Sequence, residues 1–193
     1  MNLFLFTTNF PFGISETFIE NEINILSKKF NKVFIFPNSD KGNKRDIPEN
    51  VEVIFLNKEY RRSVVLKSDL RLILNILLKE NILKAFFKNN FRETLSYLLR
   101  LVYKSYLLNE FISKYNSNNT IFYSYWFDDW ATILSVLKHK KIISDFVSRA
   151  HGFDLYDYRS KSGKIKFRKF QLKNVKQVYS VSEDGSNFLK KKF

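Results

Sequence analysis

Six short runs rich in β-branched and aromatic residues alternate along this chain with stretches of helical periodicity. The strand-like runs cover residues 2–8, 32–37, 51–56, 119–127, 145–152 and 176–182. Helical patterns occupy residues 15–30, 63–115, 128–141, 164–175 and 183–193. Strands that alternate with helices favour a mostly parallel sheet with helices on both faces. We therefore predict an α/β chain with a Rossmann-like, doubly wound sheet.

The first helical stretch, residues 15–30, carries clear local signals. Its apolar residues recur at steps of three and four, and they place one stripe on a single face: Ile19, Ile23, Leu26 and Phe30. Thr17 and Glu20 have the spacing of a capping box at its start. In the later stretch 128–141, Asp128 or Asp129 is the expected N-cap.

The stretch 63–115 contains neither proline nor glycine, so we predict two or three helices, broken near Asn89 and Asn90. Its apolar stripe consists of Phe91, Leu95, Leu98, Val102 and Tyr106. Cations outnumber acids here, with Arg61, Arg62, Lys67, Arg71, Lys79, Lys84, Lys88, Arg92, Arg100, Lys104 and Lys114 against Asp69, Glu80, Glu93 and Glu110. Such a mixture is typical of a helix at an anionic membrane surface and equally of a solvated basic face packed on a sheet.

Length and composition limit the possible classes of protein. The chain has 193 residues, which suits one domain with a substantial core, and we interpret residues 1–193 as a single domain. Its hydrophobic content of 45% excludes the compositional class of disordered chains. Because it has no cysteine and two histidines, disulfides and thiolate sites are excluded and a His-rich metal site is disfavoured. We predict no metal and no cofactor.

The formal net charge of +14 suggests polyanionic partners, namely nucleic acid, an anionic membrane surface or phosphorylated small molecules. The abundance of Lys, Asn, Ile and Phe is also what an AT-rich genome would encode. The start of the chain lacks a basic segment and a long apolar core, so no signal peptide is predicted. Lys79 and Glu80 interrupt the longest apolar stretch well before it could cross a bilayer. We predict a cytoplasmic protein that can lie peripherally at the inner membrane face.

Ligands of doubly wound sheets collect at the carboxyl ends of the strands, where four notable stretches of this sequence fall. The first, residues 11–17, contains Gly13, Ser15, Glu16 and Thr17; the glycine permits close backbone approach, although an ordinary strand-to-helix turn would use it as well. The second contains Tyr125 and Trp126, whose rings can stack on a sugar or base or can simply pack in the core.

The third stretch is "RAHGFDLYDYR", residues 149–159. His151 can act near neutral pH as a hydrogen-bond donor or as an acid or base, and Asp154 can orient either a hydroxyl or the histidine. A purely structural turn is the alternative for both residues. Gly152 permits a ligand to approach the backbone, and Arg149 precedes the histidine. The fourth stretch contains Ser182, an expected helix cap, and Glu183.

Taken in order, "FPFGISETFIENEI", "FYSYWFDDWATIL", "SRAHGFDLYDYR" and "FRKFQLKNVKQVYSVSEDGSNFL" resemble the N-terminal half of bacterial family 4 glycosyltransferases, the group-1 enzymes with the GT-B fold. The resemblance extends over nearly the whole chain, although residues 40–118 are generic. It implies a retaining sugar transferase in which two Rossmann-like domains face each other across a cleft, with the acceptor received mainly by the N-terminal domain.

The resemblance also implies roles for residues of this chain. The loop from Pro11 to Thr17 would lie near the donor phosphates, and His151 near the transferred sugar, where it positions rather than attacks. The candidate catalytic residues are thus His151 and Asp154. The candidate substrate-binding residues are Gly13, Ser15, Glu16, Thr17, Tyr125, Trp126, Arg149, Gly152, Ser182 and Glu183.

One expected pattern is not in this sequence: the paired glutamates of the donor-binding half, separated by seven residues. That C-terminal domain is expected beyond residue 193, so the chain alone should fold without catalysing transfer. The expected partners are a nucleotide-sugar donor shared with that domain, and a glycan or lipid-linked acceptor of cell-surface polysaccharide synthesis. The alternatives are a basic nucleic-acid-binding module, for which no recognisable motif is found, and a non-catalytic α/β interaction domain.

Overall fold

A computed structural model of the protein describes residues 1–56, 58–81, 91–115, 119–159 and 165–192. Its strands are β1 (Asn2–Thr7), β2 (Lys32–Pro37), β3 (Val51–Val53), β4 (Thr120–Ser124), β5 (Val147–Ala150) and β6 (Gln177–Ser180). They form one sheet in the order β3-β2-β1-β4-β5-β6, and all five neighbouring pairs are parallel. This is the strand order of a doubly wound sheet. The predicted Rossmann-like α/β fold is confirmed.

The helices of the described ranges lie between and after these strands. They are α1 (Phe18–Ser27), α2 (Arg62–Lys79), α3 (Phe91–Ile112), α4 (Asp129–His139), α5 (Gly152–Leu155), α6 (Arg168–Asn174) and α7 (Glu183–Lys192), with a 3-10 turn at Asp157–Arg159. The long apolar segment thus contains two described helices. The predicted break at Asn89 and Asn90 lies outside the described residues.

Alternation along the central strands divides the core into two layers. Phe4 and Phe6 of β1 point to the side covered by α2, α3, α4 and α6, whereas Leu3 and Leu5 point to the side covered by α1. β2 repeats this pattern, because its phenylalanines join the first layer and its aliphatic residues the second. The side-chain period of two along a strand thus packs the aromatic rings together on one face.

The aromatic layer is held by close ring contacts. The ring of Phe4 lies 5.1 Å from Phe34 and 5.3 Å from Phe122, centroid to centroid. Phe111 of α3 lies 5.6 Å from Phe4, so this helix packs directly on the strand. The stripe predicted for α3 is confirmed, since Leu98 and Val102 are buried and the other three members pack against the core. Rings at such distances contribute beyond the area that they bury.

The start of α1 differs from the prediction. Thr17 has helical backbone angles (φ −59°, ψ −29°) and its hydroxyl caps nothing, so the expected capping box with Glu20 does not form. The carboxylate of Glu20 instead pairs with Arg45, 2.6 Å away. By contrast, Asp128 is the N-cap of α4 and accepts the N–H of Trp130 at 3.2 Å. A capping oxygen acts only where the residue before the helix is extended or nearly so.

Helix α2 bends at Asp69, whose backbone is not helical (φ −131°, ψ 21°). The buried Asp69 carboxylate accepts a hydrogen bond from the Tyr106 hydroxyl of α3 and pairs with Lys140 at 3.1 Å. A carboxylate in this position ties α2 to the two helices beside it, because leaving it unpaired would be costly. Within the described ranges, no helix combines the length and apolarity that a membrane span requires.

Candidate functional site

The carboxyl ends of β1, β4, β5 and β6 lie along one side of the sheet, which we call the carboxyl edge. Each candidate stretch follows one of these strands, as the parallel topology requires. Backbone hydrogen bonds hold adjacent loops together there. The N–H of Tyr125 donates to Phe6 O at 2.9 Å, and that of Val181 donates to Ala150 O at 3.1 Å. The fold therefore brings the candidate residues from four loops to one edge.

Three rings surround the imidazole of His151, and we call them the aromatic box: Phe18, Tyr125 and Trp126. Their centroids lie 6.1, 5.7 and 4.1 Å from that of the imidazole. The His151 side chain is 18% exposed. Its Nδ1 atom is buried and has no hydrogen-bond partner within the described ranges. The imidazole therefore lies among aromatic rings, with its Nδ1 atom shielded from solvent.

Asp154 organises the turn that carries His151. Its carboxylate accepts the backbone N–H of His151 at 2.5 Å and that of Phe127 at 2.7 Å. Its nearer oxygen lies 3.9 Å from Nδ1 of His151, which is too far for a hydrogen bond. The buried carboxylate thus joins the loops after β4 and β5. Both of its oxygens are engaged by the chain, so the geometry favours a positioning role over contact with substrate.

Arg168 lies directly beneath this turn and was not predicted. Its guanidinium stacks over the Phe127 ring at 3.7 Å, and its Nη2 donates to Phe127 O at 2.9 Å and to Asp154 O. The residue is 2% exposed, and burial lowers its pKa to about 10 although nearby carboxylates favour the charge. Nothing in the sequence separates this cation from the many basic residues around it.

Glu16 is turned inwards at the end of β1. Its carboxylate accepts the backbone N–H groups of Thr8, Asn9 and Phe10 at 3.1, 2.6 and 2.6 Å. The indole N–H of Trp126 also donates to it. Glu16 is 7% exposed, with a left-handed backbone conformation (φ 57°). Glu16 is one of the predicted substrate-binding residues, and in the structure its carboxylate accepts four hydrogen bonds from the chain.

The loop after β1 packs closely on the loop between β2 and β3. Gly13 and Gly42 approach so tightly that a Cβ on Gly42 would lie 2.7 Å from the Gly13 Cα, and both have positive φ. Arg45 completes the junction, donating to Ser15 O at 2.6 Å and stacking over the ring of Phe10. Sequence reasoning missed Arg45. An open cavity of about 600 Å³ lies against this junction and also contacts Thr17.

Arg149 belongs to a charged cluster beside the aromatic box. Its guanidinium forms a bidentate pair with Glu22, at 2.9 and 3.1 Å. The hydroxyl of Tyr125 donates to the same carboxylate at 2.8 Å. Burial and the hydrogen bond to Glu22 raise the pKa of the Tyr125 phenol. The cluster holds the Tyr125 ring in place and leaves the phenol protonated at neutral pH.

The remaining candidate residues lie at the starts of α5 and α7. Ser182 Oγ accepts the N–H of Gly185 at 3.2 Å, which confirms the predicted cap. Glu183 is exposed in the first turn of α7. Gly152 begins α5, and a Cβ there would overlap the guanidinium of Arg159. Gly152 directly follows His151, whereas Ser182 and Glu183 follow β6, the strand beside β5.

A second cavity of about 380 Å³ lies behind Asp154, between α3, α4 and α6. Asp128 and Asp129 line it together with Tyr97, whose hydroxyl donates to Asp129. Burial, reinforced by the charge of Asp129, raises the pKa of Asp128 to about 7. Lys104, close to this pair, has its pKa lowered to about 8 by burial. The sequence indicated these aspartates only as helix caps.

Metal binding finds no support in the described ranges, where no group of three or more His, Asp or Glu side chains could hold an ion. A scan against protein-family models and a search of curated proteins found no match for this chain. The class of protein that the fold defines is a Rossmann-like α/β domain. Its carboxyl edge carries an imidazole among aromatic rings, and the carboxylates of Glu16, Glu22 and Asp154 nearby accept hydrogen bonds from groups of the chain.

Proposed function

We propose that this chain is the acceptor-side domain of a retaining glycosyltransferase. In this proposal the enzyme moves a sugar from a nucleotide-sugar to a glycan or lipid-linked acceptor during synthesis of cell-surface polysaccharide. His151 lies beside the transferred sugar and forms a hydrogen bond with it. The groups that hold the leaving diphosphate belong to a second, donor-side domain. Because the transition state needs both walls of the cleft, this chain alone should catalyse little or no transfer.

The observation that carries the proposal is the aromatic box around His151. Small-molecule sites are typically apolar and aromatic surfaces with a few well-placed polar groups. A sugar ring offers both complementary features, since its C–H faces pack on aromatic rings and its hydroxyls take hydrogen bonds. His151 supplies the polar group of this surface. Its exposed rings are Phe18 and Phe153, and the Phe153 ring lies 4.8 Å from the largely buried Trp126, centroid to centroid.

A nucleic-acid partner is supported by charge alone. Single strands bind to aromatic platforms on which successive bases stack along an open groove. Here Tyr125 and Trp126 are almost fully buried, and both rings contact the imidazole of His151. The non-catalytic interaction domain has more support, because Ile14, Phe153 and Val181 are exposed on the carboxyl edge. A second domain seated over the cleft would cover such residues, so this feature also suits the transferase.

Attachment to an anionic membrane surface is part of the proposal. Leu70, Leu74 and Leu78 recur at steps of four on α2 and are between 45% and 59% exposed. The cations Arg71 and Lys79 lie beside them, also exposed. Leucines inserted at the level of the headgroups, with cations beside acidic lipids, would hold the domain where a lipid-linked acceptor is found.

The test is sugar binding by the isolated domain, observed on the indole signal of Trp126 by NMR. Methyl glucoside, methyl galactoside, methyl mannoside and N-acetylglucosamine are titrated separately into the millimolar range. At least one should shift that signal, and His151→Ala should abolish the shift. His139→Ala, at the end of α4, is the matched control and should leave it unchanged. Binding of no sugar, or binding that survives His151→Ala, would contradict the proposal.

A further inference from the structure

Three successive backbone N–H groups converge at the carboxyl end of β1. They belong to Thr8, Asn9 and Phe10, and all three donate hydrogen bonds to the same carboxylate. Consecutive N–H groups in such a turn form a concave anion site. In doubly wound sheets the loop after the first strand is where ligand phosphates commonly bind. In this position an open site of this kind would be expected to receive the phosphates of a substrate.

Here the place is taken by the carboxylate of Glu16. One oxygen accepts from Asn9 and Phe10, and the other accepts from Thr8 and from the indole of Trp126. The backbone of Glu16 adopts the left-handed conformation that a residue other than glycine seldom adopts, and this turns the side chain back into the loop. Four donors and near-complete burial show a carboxylate that is part of the loop's architecture.

We propose that Glu16 is a built-in anion that closes the amide site at the end of β1 and holds Trp126 against His151. Two consequences follow. Substrate phosphates do not bind at the amides of residues 8–10, since they would have to displace a carboxylate held by four donors. Trp126, only 4.1 Å from His151, depends on Glu16 for its orientation. The effect of Glu16 on Trp126 is structural. Only its importance for sugar binding rests on the proposed function, in which His151 contacts the sugar.

Chemical rescue tests the proposal directly. Glu16→Ala removes the carboxylate and leaves a space that acetate fits. Acetate should raise the melting temperature of this variant in a saturable way, compared with chloride at equal ionic strength. It should also return the amide signals of Thr8, Asn9 and Phe10, and the Trp126 indole signal, towards their wild-type positions. The matched control is Glu20→Ala, which removes an α1 carboxylate paired with a side chain, and should show no such response.

Inorganic pyrophosphate gives the second measurement. It should shift the amide signals of residues 8–10 in Glu16→Ala but leave those of the wild-type protein unchanged. Should Glu16→Ala not fold, Glu16→Gln keeps the shape without the charge, and faster hydrogen exchange at the same three amides is then expected.

Three results would overturn the inference. The first is a shift of the wild-type amide signals of residues 8–10 on addition of pyrophosphate. The second is an equal effect of acetate on Glu16→Ala and Glu20→Ala. The third is hydrogen exchange at the wild-type rate for these amides in Glu16→Gln. None of these measurements requires sugar binding, so failure here and failure of the proposed function are distinguishable.

Discussion

Replacing Asp154 by alanine should destabilise the domain far more than its single carboxylate suggests. The side chain is buried, and it satisfies the backbone N–H groups of His151 and Phe127. Leaving a buried donor without a partner costs roughly 1–3 kcal/mol. Two such donors give a loss of about 4 kcal/mol, a large share of the roughly 5–15 kcal/mol that stabilises a native domain.

Urea unfolding, followed by far-ultraviolet circular dichroism and tryptophan fluorescence, measures this loss. For a chain of this size the same loss lowers the melting temperature by about 10 °C. Asp145→Ala is the control, because the Asp145 side chain is 42% exposed and its carboxylate pairs with Lys138 at 2.7 Å. Exposed pairs contribute about 1 kcal/mol or less. If Asp154→Ala lost no more free energy of unfolding than Asp145→Ala, the role assigned to its two hydrogen bonds would be wrong.

Three further perturbations follow from the same structure. Asp128→Asn keeps an N-cap but removes a carboxyl whose pKa is raised from 3.8 to about 7. Between those pH values the carboxyl is ionised in the unfolded chain but still protonated in the folded one, so the stability of the wild type falls as pH rises. In urea unfolding, the midpoint of the variant should therefore rise relative to that of the wild type from pH 4 to 7, and the difference should stay constant above pH 7. Arg45→Ala should cost about 2 kcal/mol through its lost hydrogen bonds and speed hydrogen exchange at the bridge between Phe12 and Lys44. Leu74→Ser should reduce flotation with vesicles containing phosphatidylglycerol, but should not change the already weak flotation with pure phosphatidylcholine. The control is Ile25→Ser on α1, where Ile25 is 62% exposed, and it should leave flotation with both vesicles unchanged. An equal loss of flotation in both variants would exclude the α2 surface as the membrane-binding face.

The fold was predictable because its signals are local. Each central strand is a short run such as residues 2–8 or 32–37, whose character depends on immediate neighbours. The stripe of α3 likewise follows from spacing within one helix. Strand ends were less accurate: β3 stops at Val53, and β4 at Ser124, where the chain turns. Apolar residues that follow a strand and pack in the core look like part of the strand in the sequence. The run of apolar residues therefore does not show where the backbone hydrogen bonds to the neighbouring strand end.

The position of the candidate residues at one edge of the sheet was predictable, but the hydrogen bonds and ion pairs between them were not. Strand order brings His151 and Trp126 to one edge, and that followed from the alternation of elements. The partners of the charged groups did not follow, because they are distant in sequence. Glu16 and Trp126 are separated by 110 positions, and Arg45 and Ser15 by 30. The capping box of Thr17 failed for the same reason, since Glu20 pairs with Arg45 in another loop.

These hydrogen bonds and ion pairs limit which ligands the carboxyl edge can bind. Glu16 is held by backbone amides, Glu22 by Arg149 and Tyr125, and Asp154 by the turn around His151. A cationic ligand would have to break one of these arrangements to reach any of these three carboxylates. A phosphate would meet Glu16 at the amides of residues 8–10, which would otherwise receive it. Around His151, what the edge offers without rearrangement is an imidazole among aromatic rings. A neutral, hydroxyl-rich ring matches that surface, and this supports the proposal that a sugar, rather than a nucleotide, binds beside His151.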